Sequence, residues 1–390
     1  MVRAALATKP GEKRRLVVFG PGHPFRGGVA RTTTELVRSL QARGHEMHFL
    51  TPQRQYPGWI YPGRSDLDRD ACARLDCAEA ALDPLNPLSW FGSRRRALAL
   101  DADAWIFPYW TWAWAGLWHF LLRGERPPAV AVVHNPADHD AGFHQRLAAR
   151  LVLGRCQALF THARALEEGL AAVYPGAPIA FHPLPSPDLG ALPSADEARA
   201  ALGVPTDCRV ALFLGLIRPY KGVDLLLDAI ARQPAGSDWF LVVAGEPWGN
   251  LGDSLSQQVR RLGISDRVRL ELGWVPEPEV PRLLAAADLV VLPYRSGSQS
   301  AVAPLALGAG VPVLSTAVGG LPEVVRHGVD GWLVHPGSAT ELARALEELD
   351  RSRLAALAEG ARQGRGRFTW DGYAEALEGL LTRVTSIEDK

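Results

Sequence analysis

The chain has 390 residues, 47% apolar and 22% charged, with 42 basic side chains against 42 acidic ones. That length exceeds what one core serves, so two domains are expected, and a formal charge of zero gives no global field toward nucleic acid or an anionic membrane. The basic runs Lys13-Arg14-Arg15 and Arg94-Arg95-Arg96 read as solvated faces, and Cys72, Cys77, Cys156 and Cys208 form no CxxC pair and no zinc spacing, which fits a reducing compartment.

Met1 to Arg15 lacks an apolar stretch ahead of its charges and reads as a tail before the first strand rather than a secretory signal. Leu16 to Gly20 is a predicted strand. A Gly/Pro-rich loop, Gly20 to Gly28, then leads into a helix from about Val29 to Arg43, with Gly44 as its stop and Glu46 to Leu50 as the next strand. Gln53 to Ser93 is long, polar and proline-rich, and reads as a functional loop or one with small elements of its own. Further strands are expected at Ala104 to Phe107, Ala129 to His134, Ala158 to Thr161 and Ile179 to His182. Trp105 to Leu122 carries no Asp, Glu, Lys or Arg and five tryptophans; Pro108 interrupts it, leaving too little to span a membrane. A core helix and a Trp-rich surface for a lipid or sugar both remain open for it.

His182-Pro183-Leu184-Pro185-Ser186-Pro187-Asp188 is a stiff linker and sets the expected domains at 1–187 and 188–369. A second strand–helix series follows, with strands at Val210 to Leu214, Trp239 to Ala244, Val268 to Leu272, Leu289 to Pro293, Val313 to Ser315 and Gly331 to Val334. Ser352 to Arg383 is helical, with a last helix beginning near Asp371. The fold class expected is α/β, two Rossmann-like doubly wound parallel sheets facing across a cleft, with ligands at the carboxyl ends of the strands.

Four segments carry chemistry. Gly215-Leu216-Ile217-Arg218-Pro219-Tyr220-Lys221-Gly222 joins a strand to a helix, and Arg218 and Lys221 beside a helix N-terminus suit a phosphate. Gly27 and Gly28 allow backbone approach to a phosphate or sugar. A nicotinamide cofactor is set aside because Phe49-Leu50-Thr51-Pro52-Gln53 ends the second strand without a carboxylate. His134 stands at a strand's carboxyl end, with Asp138, His139, Asp140 and His144 following. No metal-ligand spacing is present there, so substrate binding is the favoured reading and no metal is expected. Ser298, Gln299 and Ser300, ahead of a short helix, form an anion nest without side-chain charge.

Together these segments resemble the family 4 glycosyltransferases, retaining enzymes of the GT-B fold. The resemblance is carried by the Gly215 to Gly222 segment, Gly310-Val311-Pro312-Val313, Val318-Gly319-Gly320-Leu321-Pro322-Glu323, Gly331-Trp332-Leu333-Val334 and Phe368-Thr369-Trp370. It is looser in the first half, where Gly20 to Gly28, Gln55-Tyr56-Pro57 and Tyr61-Pro62-Gly63 are similar to a bacterial branch associated with surface polysaccharide.

The resemblance implies a nucleotide-sugar donor whose diphosphate is neutralised by Arg218 and Lys221, with Gly27 and Gly28 close to it and His134 beside the sugar, and no metal cofactor. It implies a glycan or lipid-linked acceptor, with Trp110, Trp112 and Trp114 on the acceptor side, and a final helix, about 370–390, crossing back onto the first domain. The location implied is cytoplasmic, with room for peripheral contact at the inner membrane face. The family often carries two glutamates eight residues apart near the second-half helix; their positions fall here on Gly297 and Leu305, and Ser298, Gln299 and Ser300 look like a replacement. A non-catalytic nucleotide- or carbohydrate-binding relative and a nucleotide-sugar epimerase are the alternatives.

Overall fold

The computed structural model describes residues 12–54, 67, 74–135 and 143–385. The chain divides into two compact units, one of Met1–Pro183 with Trp370–Lys390 and one of Leu184–Thr369. The second unit begins ahead of the expected boundary at 187 because Leu184 is buried and the Ser186 amide donates to the Phe368 carbonyl, 2.9 Å.

In the first unit the described strands are β1 (Arg15–Phe19), β2 (Glu46–Pro52), β3 (Ala78–Leu82), β4 (Ala104–Tyr109), β5 (Ala129–Val133), β6 (Ala158–Thr161) and β7 (Ile179–Phe181). They form a parallel sheet in the order β3-β2-β1-β4-β5-β6-β7. Strand β3 is a small element of the long polar segment, which the sequence allowed without placing it, and α2 (Trp90–Ala99) follows it. Helices α1 (Gly28–Ala42), α3 (Ala115–Leu121), α4 (Phe143–Leu153) and α5 (Arg164–Val173) complete the crossovers.

A sheet covered on both faces is built from continuous apolar runs such as Ala129-Val130-Ala131-Val132-Val133. One face packs Val17, Phe19, Trp105 and Phe107 in a cluster with Trp118 of α3, Trp114 just ahead of it, and residues of α2, α4 and α5. The other packs Val18, Ile106, Val130 and Phe160 against α1 and the last helix. That last helix, Trp370–Thr385, returns to the first unit. It buries Tyr373, Leu377, Leu380 and Leu381, each leucine contributing about 2 kcal/mol. Arg43 ties it down through ion pairs to Asp371 and Glu378, and Glu378 also meets His45 at 2.9 Å.

The second unit has β8 (Arg209–Leu214), β9 (Trp239–Ala244), β10 (Val268–Glu271), β11 (Leu289–Leu292), β12 (Val313–Thr316) and β13 (Gly331–Val334), parallel in the order β10-β9-β8-β11-β12-β13. The order reverses between β8 and β11, so the loops leaving these two strands diverge and open a crevice at their carboxyl ends.

Candidate functional site

The crevice of the second unit is built from the loops after β8 and β11. Beyond Leu214 the chain turns at Gly215, and Arg218 precedes a 3-10 turn, Pro219–Lys221. Gly222 follows in the left-handed region (φ 70°), where a Cβ would collide with the Pro293 carbonyl oxygen. Only glycine lets the turn lie this close to the end of β11.

Lys221 is held there with its ammonium 5.4 Å from the centroid of the Tyr294 ring. It has no hydrogen-bond or ion-pair partner among the described residues. Burial lowers its pKa; the nearby Arg218 charge lowers it further and Tyr220 partly offsets this. Tyr294 is buried and its phenol is pushed up to about 12 by burial, so it stays neutral. Its hydroxyl lies 3.3 Å from Ser300 Oγ, and Ser300 Oγ accepts from the Val302 amide, 3.2 Å, at the start of the helix Val302–Ala309. A cation disfavoured by its own surroundings is stabilised by any anion brought beside it.

Arg218 points elsewhere. Its guanidinium lies over the indole of Trp248, in the loop after β9, with Cζ 4.2 Å from the ring centroid. The helix after Gly222, Val223–Ala231, does not offer a vacant N-terminus either. Asp224 stands in its first turn, held by Arg295 through two hydrogen bonds of 2.8 and 2.5 Å. The helix Val302–Ala309 has no acidic residue in its first turn and is the freer of the two for an anion. Ser298 and Gln299 lie half-buried just ahead of it, and the Ser298 carbonyl accepts from the Gly320 amide, 2.9 Å. Leu305, where the resemblance places a glutamate, is packed in the core.

In the first unit, Gly27 (φ 116°) precedes α1 and Gly28 opens it, and a Cβ on either would meet nothing within 4 Å. Positive φ makes glycine necessary at 27 but not at 28. His134 follows β5, only 7% exposed, and burial pushes its pKa down to about 4. It borders a small pocket reaching Thr32 and Thr33 of α1, Pro108, and Tyr373 of the last helix.

Two histidines not singled out from the sequence stand beside it. β5, β6 and β7 pair Val133 with Thr161 and Thr161 with Phe181. The residues that follow, His134, His162 and His182, therefore form a row along the sheet edge. The rings of His134 and His162 are 4.7 Å apart, and Tyr373 stacks on His162 at 5.7 Å. His162 lies well below the usual histidine range through burial first and His134 second, although the His182 backbone favours its charged form. The signal was a histidine directly after each strand, but only the register shows that the three are neighbours.

The tryptophans separate. Trp114, 1% exposed, is sandwiched between Trp110 and Trp118 at 4.8 and 5.3 Å and belongs to the core, which corrects its acceptor-side assignment. Trp110 is half-buried against the same core, and Trp112 is 48% exposed beside His144. Asp138, His139 and Asp140, with Tyr56 and Tyr61, lie outside the described residues. Among the described residues no group of three His, Cys, Asp or Glu could hold a metal ion, and no helix is long and apolar enough to cross a membrane.

Two family models match: "Glycosyl transferases group 1" over residues 194–364 and "Glycosyl transferase 4-like domain" over 27–185. A D-inositol 3-phosphate glycosyltransferase of Corynebacterium aurimucosum is 33% identical over 319 residues, covering 75% of this chain and 74% of that protein. One of Thermobispora bispora is 36% identical over 276 residues, covering 68% of this chain and 61% of that protein. The chain thus spans about three-fifths of the length of that relative, and 53% of another from Catenulispora acidiphila. The fold is that of solved glycosyltransferase structures. Sucrose-phosphate synthase from Thermosynechococcus elongatus has a TM-score of 0.78 at 18% identity, covering 96% of this chain and 100% of that one. The Anabaena HepE protein in complex with UDP and glucose has a TM-score of 0.72 at 20% identity, covering 95% and 100%. The chain belongs to the family 4 glycosyltransferases, with two Rossmann-like domains of the GT-B type.

Proposed function

We propose that the protein is a retaining glycosyltransferase that takes a sugar from a nucleotide-sugar donor. The observation that carries this reading is Lys221, a half-buried lysine whose ammonium has no described partner in the crevice between β8 and β11. A donor diphosphate there pairs with the Lys221 ammonium and leaves as a stabilised anion, with Ser298, Gln299, Ser300 and the following helix as further donors and Arg218 at the rim. These groups supply the positive charge without a metal. For the first unit we propose acceptor binding, with His134 present as neutral imidazole, able to accept or donate a hydrogen bond to a sugar hydroxyl, and Gly27 and Gly28 leaving room for the ligand.

The acceptor we propose is a glycan or lipid-linked hydroxyl in cell-surface synthesis, handled on the cytoplasmic side with peripheral membrane contact. A small phosphorylated polyol is the second reading, favoured by relatives named D-inositol 3-phosphate glycosyltransferases.

Calorimetric titration of UDP-, GDP-, ADP- and dTDP-sugars, with and without EDTA, names the donor. Replacing Lys221 by Ala should then weaken it about ten- to a hundredfold, the value of one hydrogen bond between charged groups. Equal donor affinity in Lys221→Ala would remove the crevice from the reaction.

A further inference from the structure

The helices α2, α3 and α4 form one layer over the first unit's sheet, and their outer side is not that of a solvated helix layer. On α4 the apolar residues Phe143, Leu147 and Leu151 recur every fourth position and all face outward, Phe143 at 82% exposure. Beside α2, Leu88 is 84% exposed and Phe91 67%. Amphipathic helices of a globular domain turn such a stripe inward. Here each helix has a separate buried side, Ser93 and Ala97 on α2 and Ala149, Val152 and Leu153 on α4, so the outer residues are surplus to folding.

The patch is continuous across α3. Phe91 meets Phe120 edge-on at 4.8 Å, Trp112 meets His144 at 5.5 Å, and the His119 ring lies 3.4 Å from the Leu151 carbonyl.

Its charge is one-sided. Although the chain is neutral overall, α2, α3 and α4 contain no Asp or Glu and carry Arg94, Arg95, Arg96, Arg146 and Arg150. Among the described residues, Arg96 is paired with Glu79, and Glu125 lies in the turn after α3. Arg95, Arg146 and Arg150 are exposed, with no described ion pair. On α4 the arginines flank the apolar stripe. Near α2, Arg94, Arg95 and Arg123 rim a groove floored by Phe91, Leu98 and Phe120. Apolar side chains that can enter an acyl boundary, rimmed by guanidinium groups that pair with phosphate, form the pattern of a helix lying in a membrane interface.

We infer that the outer side of α2, α3 and α4 is a docking surface for an anionic phospholipid bilayer, with Leu88, Phe91, Phe143, Leu147 and Leu151 inserted and the arginines on lipid phosphates. The inference deepens the peripheral membrane contact proposed above and rests on that reading, but it does not depend on Lys221 or on the donor.

The test is co-sedimentation of the full chain with vesicles of phosphatidylcholine alone and of phosphatidylcholine containing about one-third phosphatidylglycerol. Binding is expected to the anionic vesicles, to fall with added salt, and to drop roughly fivefold for each of Arg95, Arg146 and Arg150 changed to Gln. A Phe91→Ser/Phe143→Ser/Leu147→Ser variant should also lose binding, while its circular-dichroism melt and its UDP-sugar affinity stay those of the parent. No binding to anionic vesicles at low salt, or equal binding by parent and variants, would overturn the inference without touching the donor site. So would a concentration-dependent dimer in sedimentation velocity that the serine variant abolishes, because the face would then belong to a second copy.

Discussion

The histidine row makes the first unit acid-sensitive in a defined window. His134 is nearly inaccessible, and the described groups that border it include His162 from the next strand, Tyr373 from the last helix, and Thr32 and Thr33 from α1. Its pKa falls from 6.5 to about 4 through burial alone. The folded value lies below the unfolded one, so the unfolded chain binds more protons between about 4 and 6.5. Stability is therefore complete above about pH 6.5 and is lost as pH falls toward 4. Integrating between pH 7 and pH 5 gives a loss of about 2 kcal/mol from His134. His162 and His182, both also depressed by burial, add in the same direction. For a unit of about 200 residues, 2 kcal/mol lowers the Tm by roughly 4–8 °C. Tryptophan fluorescence suits the assay, since eight of the 12 tryptophans lie in this unit. The quantity to compare is the Tm difference between pH 7 and pH 5, in the parent and in His134→Gln, which cannot charge. The variant should lose the His134 part of the drop whatever its absolute stability. A parent melt indifferent to this pH change, or a variant with the full drop, would show that His134 ionises in the folded chain as freely as in water.

Other outcomes follow from single contacts. Trp248→Ala removes the face that holds the Arg218 guanidinium, an interaction of about 0.5–2 kcal/mol, so inorganic diphosphate affinity should fall several-fold and Trp248→Phe should recover most of it. Equal affinity in all three proteins, with Arg218→Ala still weak, would mean that Arg218 needs no such support. Gly222→Ala places a Cβ against the Pro293 carbonyl in left-handed backbone and should destabilise the second unit by roughly 1–3 kcal/mol in urea denaturation. An unchanged urea midpoint would show that the turn relaxes.

Strands buried on both faces were legible because a parallel sheet demands uninterrupted apolar runs, and Trp239–Ala244 and Ala158–Thr161 lie where such runs predict them. β3 escaped because Ala78-Glu79-Ala80-Ala81-Leu82 has no β-branched or aromatic residue; at the sheet's edge, pairing to β2 defines it. α2 escaped because Gly92 and three consecutive arginines hide a buried side of only Ser93 and Ala97. In the Arg218 and Lys221 segment, the residue types suggested anion chemistry, but spacing alone treated the two cations as one pair. The 3-10 turn and Gly222 rotate Lys221 under Tyr294 and leave Arg218 against Trp248, a separation that depends on loops after three different strands.

The same distinction explains the basic run at Arg94-Arg95-Arg96. A charge run on a helix is a solvated face when its neighbours in space are polar, and sequence order names only its neighbours along the chain. What changes the reading is that α3 brings the outward phenylalanine of α2 and the outward stripe of α4 onto one surface. Arginine beside arginine implies only solubility. Arginine around Phe91, and beside Phe143 and Leu147, keeps a hydrophobic patch from closing on another neutral protein while matching it to a surface that is apolar within and anionic at its edge.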